Sequence, residues 1–124
     1  MSYTCLIVDD EQLARQLLKE YVSKTPALEL KGMCKNPLEA MEIMAEEQID
    51  ILFLDIQMPE LTGIEFVKTL NQKPVIIFTT AYSEYALEGY QLDVVDYLVK
   101  PFPFDRFIKA VNKAAEFIDL KKKA

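Results

Sequence analysis

Four apolar segments of this sequence are each followed directly by polar side chains that suit phosphoryl-transfer chemistry. The segments are 3–8, 51–54, 75–78 and 97–99. They lead into carboxylates, hydroxyls and an ammonium group, which belong to Asp9, Asp10, Asp55, Thr79, Thr80 and Lys100. If the segments are parallel strands, these groups meet at the carboxyl edge of one sheet, where open α/β folds bind ligands. Three carboxylates in one small volume are typical of a site for a hard cation such as Mg²⁺.

Asp55 is the candidate nucleophile. It follows segment 51–54 and precedes Met58-Pro59, so no helix begins there for it to cap. A carboxylate can attack phosphorus and form an acyl phosphate, provided that a metal offsets the charge of the phosphoryl oxygens. Asp9 and Asp10 can hold that metal. The alternatives are an ordinary loop acid at position 55, and an Asp9 or Asp10 that only caps the next helix.

Thr80, Ala81 and Lys100 are the candidate groups for binding phosphoryl oxygens. The Thr80 hydroxyl and the Ala81 backbone N–H can each donate a hydrogen bond, and Lys100 can supply a compact positive charge. Each also has an ordinary interpretation, as a strand-end threonine, a small loop residue or a solvated edge lysine. Lys100-Pro101 is in addition a candidate cis peptide bond.

Composition narrows the class of protein. A length of 124 residues suits one domain, and 51% hydrophobic residues allow a folded core. The net charge of −6 argues against nucleic-acid binding by this chain, because phosphate contacts need a basic surface. The absence of histidine excludes Ser-His-Asp triads and histidine metal sites. With no membrane-length apolar run, no secretory signal, and Cys5 and Cys34 expected as buried thiols, we expect a cytoplasmic protein.

Strands and helices alternate along the chain. The predicted strands are 3–8, 28–33, 51–54, 75–78 and 94–99. The predicted helices are 11–24, one from Asn36-Pro37, one after Thr62-Gly63, 84–90 after a Ser83 cap, and one after Pro103. Their expected buried residues are Leu13, Leu17 and Tyr21, then Leu38, Met41 and Ala45, then Ile64, Val67 and Leu70, and finally Phe104, Phe107, Ile108, Val111, Ala115 and Ile118. This alternation predicts a parallel sheet with right-handed crossovers. We expect one domain over 1–120, followed by the start of a linker at 121–124.

These motifs together resemble the receiver domain of two-component response regulators. The matching stretches are Val8-Asp9-Asp10-Glu11, Leu54-Asp55-Ile56-Gln57-Met58-Pro59 with the later Gly63, Thr80-Ala81, and Lys100-Pro101-Phe102. The resemblance implies a flavodoxin-like doubly wound (βα)5 three-layer sandwich with strand order 2-1-3-4-5. It also implies that Asp55 is the phosphoacceptor. Mg²⁺ would be ligated by Asp10, Asp55 and the backbone carbonyl of Gln57, with Asp9 acting through a metal-bound water.

The same resemblance implies a switch and a partner. Thr80, Ala81 and Lys100 would bind the phosphoryl group, and Tyr97 matches the family's switch aromatic residue. A sensor histidine kinase would be the phosphoryl donor. The apolar Tyr85, Leu87, Tyr90 and Leu92 lie near the expected switch surface, and we interpret part of this surface as core and part as a face for a phosphorylation-dependent homodimer or for an output domain. The domain would be a phosphoacceptor rather than a turnover enzyme. The bulky Tyr82, two residues after the switch threonine, predicts slow autodephosphorylation.

Two tracts, 80–86 and 95–102, resemble the receivers of LytTR-type transcription regulators. In that subfamily a DNA-binding domain follows the receiver, so we expect DNA binding through a C-terminal domain missing from this chain. A stand-alone receiver that acts by protein–protein interaction is the main alternative. A pseudo-receiver is less favoured, because all the acidic and lysine positions are present. A haloacid-dehalogenase-like phosphohydrolase is less favoured too, because Gln57 occupies the position of that family's second aspartate.

Overall fold

A five-stranded parallel sheet forms the centre of the computed structural model, which describes residues 2–82 and 94–123. The strands are β1 (Tyr3–Val8), β2 (Leu28–Cys34), β3 (Ile51–Asp55), β4 (Val75–Thr80) and β5 (Val94–Val99), in the order β2-β1-β3-β4-β5. The helices in the described ranges are α1 (Gln12–Ser23), α2 (Pro37–Glu46), α3 (Gly63–Thr69) and α4 (Phe104–Lys123). The predicted doubly wound fold and its strand order are confirmed. The helix predicted over 84–90, with its Ser83 cap, lies outside the described residues.

Two apolar clusters cover the two faces of this sheet. Successive strand residues point to opposite faces, so each central strand contributes to both clusters. Ile7 and Phe53 pack with α1 and α4, whereas Leu6 and Leu54 pack with α2 and α3. All of β3 is buried, as expected for a parallel strand that is covered on both sides. The burial of the strands therefore leaves their carboxyl ends as the edge at which polar side chains can gather.

Local capping fixes where α2 and α3 begin. The Asn36 side chain accepts a hydrogen bond from the Glu39 backbone N–H at 2.9 Å, as predicted for an N-cap. Thr62 and Glu65 form a reciprocal capping box, in which each side chain accepts from the other's backbone N–H, at 3.1 and 2.9 Å. The second cap starts α3 directly after the loop that follows β3.

The buried faces predicted for the first two helices were wrong in part. Leu13 is 81% exposed, and α1 instead buries Leu18 and Val22. Leu18 and Val22 pack in the cluster with β1 and β3, Tyr21 is half-buried against that cluster, and Leu17 is half-buried. Leu38 is 70% exposed, and Met41 and Ala45 are exposed with it.

The packing of α2 explains this second difference. Pro37 and the small Ala40 lie against the sheet, which turns Leu38 and Met41 away from it. In α3, Val67 is buried as predicted, whereas Ile64 and Leu70 are half-buried. The predicted stripe of α4 is confirmed, with Phe107, Val111 and Ile118 buried and Phe104, Ile108 and Ala115 half-buried.

Cys5 and Cys34 are buried free thiols, as predicted. Residues 121–123, expected at the start of a linker, are exposed and continue α4. Among the helices of the described ranges, none is both long enough and apolar enough to cross a membrane.

Candidate functional site

Side chains from the ends of three strands converge at the carboxyl edge of the sheet. Asp9 follows β1, Asp55 ends β3 and Lys100 follows β5. The Lys100 Nζ lies 3.0 Å from Asp9 Oδ2 and 3.6 Å from Asp55 Oδ1. Both carboxylates are buried, with Asp9 0% and Asp55 3% exposed. One ammonium group therefore bridges two buried carboxylates, as the strand-end pattern predicts.

The backbone around Lys100 is fixed by the neighbouring strand. Its N–H donates to the Thr80 carbonyl at 2.7 Å, which continues the pairing of β4 with β5. The Lys100-Pro101 peptide bond is cis, as predicted. Lys100 thus starts at the far side of β4 from the carboxylates, and its side chain reaches back across that strand.

Glu11 is a site residue that sequence reasoning missed. Asp9, Glu11 and Asp55 each place one carboxylate oxygen within 4.8 Å of the other two. Glu11 Oε1 also lies 3.3 Å from Lys100 Nζ. The turn after β1 brings it there, because Asp9 Oδ1 accepts a hydrogen bond from the Glu11 N–H at 2.9 Å. The available signal was its position directly after the two aspartates.

Asp10 and Gln57 stand beside this cluster. Asp10 is exposed, and its carboxyl is near enough to Asp55 to contribute to the raised pKa of that residue. The Gln57 backbone N–H donates to Asp55 Oδ1 at 3.3 Å. The structure therefore gathers Asp9, Glu11 and Asp55 most closely, while direct ligation by Asp10 and by the Gln57 carbonyl stays a prediction.

The pKa of Asp55 is raised to about 7, chiefly by burial and then by the negative charge of Asp9. The Lys100 ammonium and the Gln57 N–H act in the opposite direction. Burial also lowers the pKa of Lys100, but its contacts with Asp9, Asp55 and Glu11 outweigh that effect and leave this pKa raised. Carboxylates that repel one another and offer oxygen ligands fit a hard divalent cation.

Thr80 and Tyr97 lie on the face of the sheet opposite to the one from which the Lys100 side chain starts. The Thr80 Oγ1 is buried and accepts a hydrogen bond from the Tyr82 N–H at 3.0 Å. Tyr97 is half-buried and pairs in register with Phe78, and the two ring centroids are 5.7 Å apart. Ala81 is exposed just beyond β4. The residues predicted for the switch therefore start from adjacent strands and share a face.

Gly63 holds the backbone of the candidate nucleophile in place. Its N–H donates to the Ile56 carbonyl at 2.8 Å, while the Ile56 N–H donates to the Thr79 carbonyl at 3.0 Å. A Cβ atom at Gly63 would overlap the Asp55 carbonyl oxygen and lie 3.0 Å from the Ile56 Cα. Only glycine lets α3 approach the end of β3 this closely.

The sequence of this chain matches a known protein family and several known proteins. Residues 5–112 match the family model described as the response regulator receiver domain. The transcriptional regulatory protein BtsR of Escherichia coli is 40% identical over 110 residues, and the sensory transduction protein LytT of Bacillus cereus is 38% identical over 111 residues. Each alignment covers 87% of this chain but only 46% and 45% of the relatives, so the chain spans about half their length.

A solved structure extends the comparison to the fold. The response regulator TrrA from Thermotoga maritima, in complex with Mg²⁺-BeF, superposes with a TM-score of 0.78 at 32% identity. The match covers 92% of this chain and 99% of that one. With its strand order, its carboxylate–lysine cluster and a family match over most of its length, this chain belongs to the response regulator receiver domain family.

Proposed function

We propose that this domain accepts a phosphoryl group on Asp55 from the phosphohistidine of a sensor histidine kinase. The observation that carries the proposal is the Lys100 ammonium lying between two buried carboxylates, 3.0 Å from Asp9 and 3.6 Å from Asp55. An ammonium in that position can neutralise a phosphoryl group that arrives on Asp55. Membership of the receiver family supports the same role.

The transfer is a substitution at phosphorus. An Asp55 carboxylate oxygen forms a bond to phosphorus while the bond from phosphorus to the donor imidazole nitrogen breaks. The electron pair of the broken bond stays on the imidazole nitrogen, which takes a proton from solvent. Asp55 then carries an acyl phosphate, whose oxygens can accept hydrogen bonds from Lys100, the Thr80 hydroxyl and the Ala81 N–H.

Mg²⁺ is the proposed cofactor. When bound, it would offset the negative charge of the phosphoryl oxygens. Asp9, Glu11 and Asp55 supply carboxylate oxygens within 4.8 Å of one another, which is the chemistry a hard cation prefers. Asp10 and the Gln57 carbonyl remain proposed ligands. The Mg²⁺-BeF complex of TrrA supports this choice of metal.

The proposed switch couples Asp55 to the other face of the sheet. Thr80 would turn toward the phosphoryl group and give up the hydrogen bond from the Tyr82 N–H. Tyr97 would then rotate into the space that Thr80 leaves, because the two residues share a face. Phosphorylation adds roughly −1.5 to −2 charge units, which is enough to bias such a two-state element.

The proposed output is LytTR-type DNA binding and transcription regulation by a separate domain. The names of the relatives LytT and BtsR support it, and the alignments leave about half of each relative unmatched. The net charge of −6 argues against DNA binding by the receiver itself. We propose a cytoplasmic protein whose phosphorylated receiver forms a homodimer.

Intact-mass measurement with acetyl phosphate tests the phosphoacceptor role. The wild-type chain should gain one phosphoryl group in Mg²⁺ and none in excess chelator, and Asp55→Asn should gain none. Asp105→Asn is the matched control, because Asp105 is exposed in the first turn of α4 and is not one of the three clustered carboxylates. A gain that persists in Asp55→Asn would refute the assignment. Release of more than one equivalent of phosphate from a small ester would instead favour a phosphohydrolase.

A further inference from the structure

Thr79 carries a buried hydroxyl that the proposed reaction does not use. The residue is 1% exposed, and among the described residues its Oγ1 has no hydrogen-bond partner. Buried polar atoms nearly always have partners, and an unpaired one destabilises the folded state. A hydroxyl in this position therefore suggests a partner that arrives in another state of the site.

Strand register places Thr79 in the same row as the candidate nucleophile. It pairs with Asp55 of β3 on one side and with Leu98 of β5 on the other. Its side chain faces α1 and α4, because Ile77, two residues earlier, packs on that face. Leu98 packs on the same face, so Lys100, two residues after it, starts from that face as well.

The path of the Lys100 side chain crosses this row. It starts beyond β5 and ends 3.6 Å from Asp55 on β3, so it must pass the end of β4, which lies between those strands. Thr79 is the β4 residue that faces the same side at that end. Thr80 faces the other side, and its hydroxyl is already occupied by the Tyr82 N–H.

A cation would compete with Lys100 for its present acceptors. Within residues 2–82 and 94–123, the Lys100 ammonium forms ion pairs with three carboxylate oxygens, at 3.0 Å for Asp9, 3.3 Å for Glu11 and 3.6 Å for Asp55. These are the same three carboxylates that the cluster offers to a metal. An ammonium has three N–H groups and needs acceptors for them, and a threonine hydroxyl has two acceptor lone pairs.

We propose that Thr79 is a positioning residue for Lys100. Its hydroxyl accepts a hydrogen bond from the Lys100 ammonium when a cation and a phosphoryl group occupy the carboxylates, and this bond holds the ammonium beside phosphorus. The inference rests on the proposed phosphorylation of Asp55. The unpaired hydroxyl destabilises the unliganded domain, and its hydrogen bond to Lys100 stabilises the liganded domain. Both effects favour the liganded state.

The test uses two substitutions that separate the hydroxyl from the shape of the side chain. Thr79→Val keeps the shape and removes the hydroxyl, and Thr79→Ser keeps the hydroxyl and removes the methyl group. Melting temperature is measured for each chain in chelator, in Mg²⁺ alone, and in Mg²⁺ with beryllofluoride. The rate of mass gain with acetyl phosphate is measured at one Mg²⁺ concentration.

Loss of the hydroxyl should weaken the response to ligands without lowering the stability of the unliganded chain. Thr79→Val should melt at or above the wild-type temperature in chelator, because an unpaired buried hydroxyl is gone. Its rise in melting temperature with Mg²⁺ and beryllofluoride should be smaller, and its phosphorylation about tenfold slower, as expected for one lost hydrogen bond to a charged group. Thr79→Ser should restore the rise and the rate while melting lower than wild type in chelator.

Two outcomes would overturn the proposal. One is a Thr79→Val chain with the wild-type ligand response and rate, and the other is an equal loss in the valine and serine variants, which would indicate packing alone. A wild-type chain that gains no phosphoryl group would refute the proposed function and this inference together. If the wild-type chain is phosphorylated but neither its rate nor its ligand response depends on the Thr79 hydroxyl, only this inference fails and the proposed function stands.

Discussion

The ion pair between Asp96 and Arg106 connects β5 to α4. The substitution Arg106→Ala tests how much this pair contributes to the free energy of unfolding. The Arg106 Nη1 and Nη2 atoms donate to the two Asp96 carboxylate oxygens at 2.8 Å each, and Nη2 also donates to the Tyr97 carbonyl at 2.9 Å. Asp96 is 8% exposed. Burial raises the pKa of this carboxyl, but hydrogen bonds from Arg106 and the Tyr97 N–H outweigh burial and hold it below its usual range.

The substitution leaves a carboxylate buried without its main partner. Breaking a fully buried pair in this way costs about 3–5 kcal/mol. Two features reduce the cost here: the Arg106 side chain is 36% exposed, and Lys113 Nζ remains 3.5 Å from Asp96. We therefore expect a loss of about 2–3 kcal/mol in the free energy of unfolding, measured by urea denaturation at pH 7. Lys113→Ala is the matched control, for which an exposed contact predicts a loss of about 0–1 kcal/mol.

The pH dependence of the same difference checks the sign. Asp96 has a depressed pKa in the wild-type fold, so its contribution is present above the unfolded value of about 3.9 and is lost as pH falls through the folded pKa. In Arg106→Ala the remaining burial raises this pKa, so acid protonates the carboxyl in the variant first. The stability difference should narrow as pH falls from 7 toward 4. The prediction would be contradicted if Arg106→Ala were no less stable than Lys113→Ala. It would also be contradicted if the stability difference between Arg106→Ala and the wild type widened in acid.

The loop after β3 and the metal site can each be probed separately. Gly63→Ala should cost about 1–3 kcal/mol in urea denaturation and slow phosphorylation, because its Cβ overlaps the Asp55 backbone; Gly32→Ala, whose Cβ meets mainly the mobile end of Ile43, should cost less, and the reverse order would count against this. Glu60→Gly should stabilise by about 1 kcal/mol, since Glu60 has a φ of 69°, and a loss of stability would contradict that. Mg²⁺ affinity by calorimetry should fall about tenfold from pH 8 to pH 6, because the pKa of Asp55 is about 7 and a ligand must be deprotonated; a flat profile would argue against ligation by Asp55.

The positions of the strands could be predicted from the sequence, because most of the strands are short apolar runs that end on polar residues. The convergence of Asp9, Asp55 and Lys100 followed from parallel strand ends alone. The helix faces were less predictable: Leu13 is exposed near the start of α1, and Leu38 is turned away from the sheet against which Pro37 and Ala40 pack. An apolar residue at helical spacing does not reveal where its helix sits along the sheet.

The parts of the site that escaped prediction depend on contacts without a sequence signature. Glu11 joins the cluster through a turn in which Asp9 accepts its N–H. The pairing of Asp96 with Arg106 spans the connection between β5 and α4, and nothing in the composition of that connection marks it. The unpaired hydroxyl of Thr79 becomes visible only once strand register is known.

Locating the phosphoryl group on the chain shows whether Asp55 is the phosphoacceptor. The wild-type chain is treated with acetyl phosphate in Mg²⁺ or in chelator, reduced with borohydride to convert an aspartyl phosphate to homoserine, and sequenced by tandem mass spectrometry. We expect homoserine at position 55 alone and only in Mg²⁺, because Asp55 is the carboxylate that the Lys100 ammonium and its acidic neighbours surround. Homoserine at Asp9 or Asp10, 2-amino-5-hydroxypentanoate (the reduced form of a glutamyl phosphate) at Glu11, or modification that is equal in chelator, would contradict it.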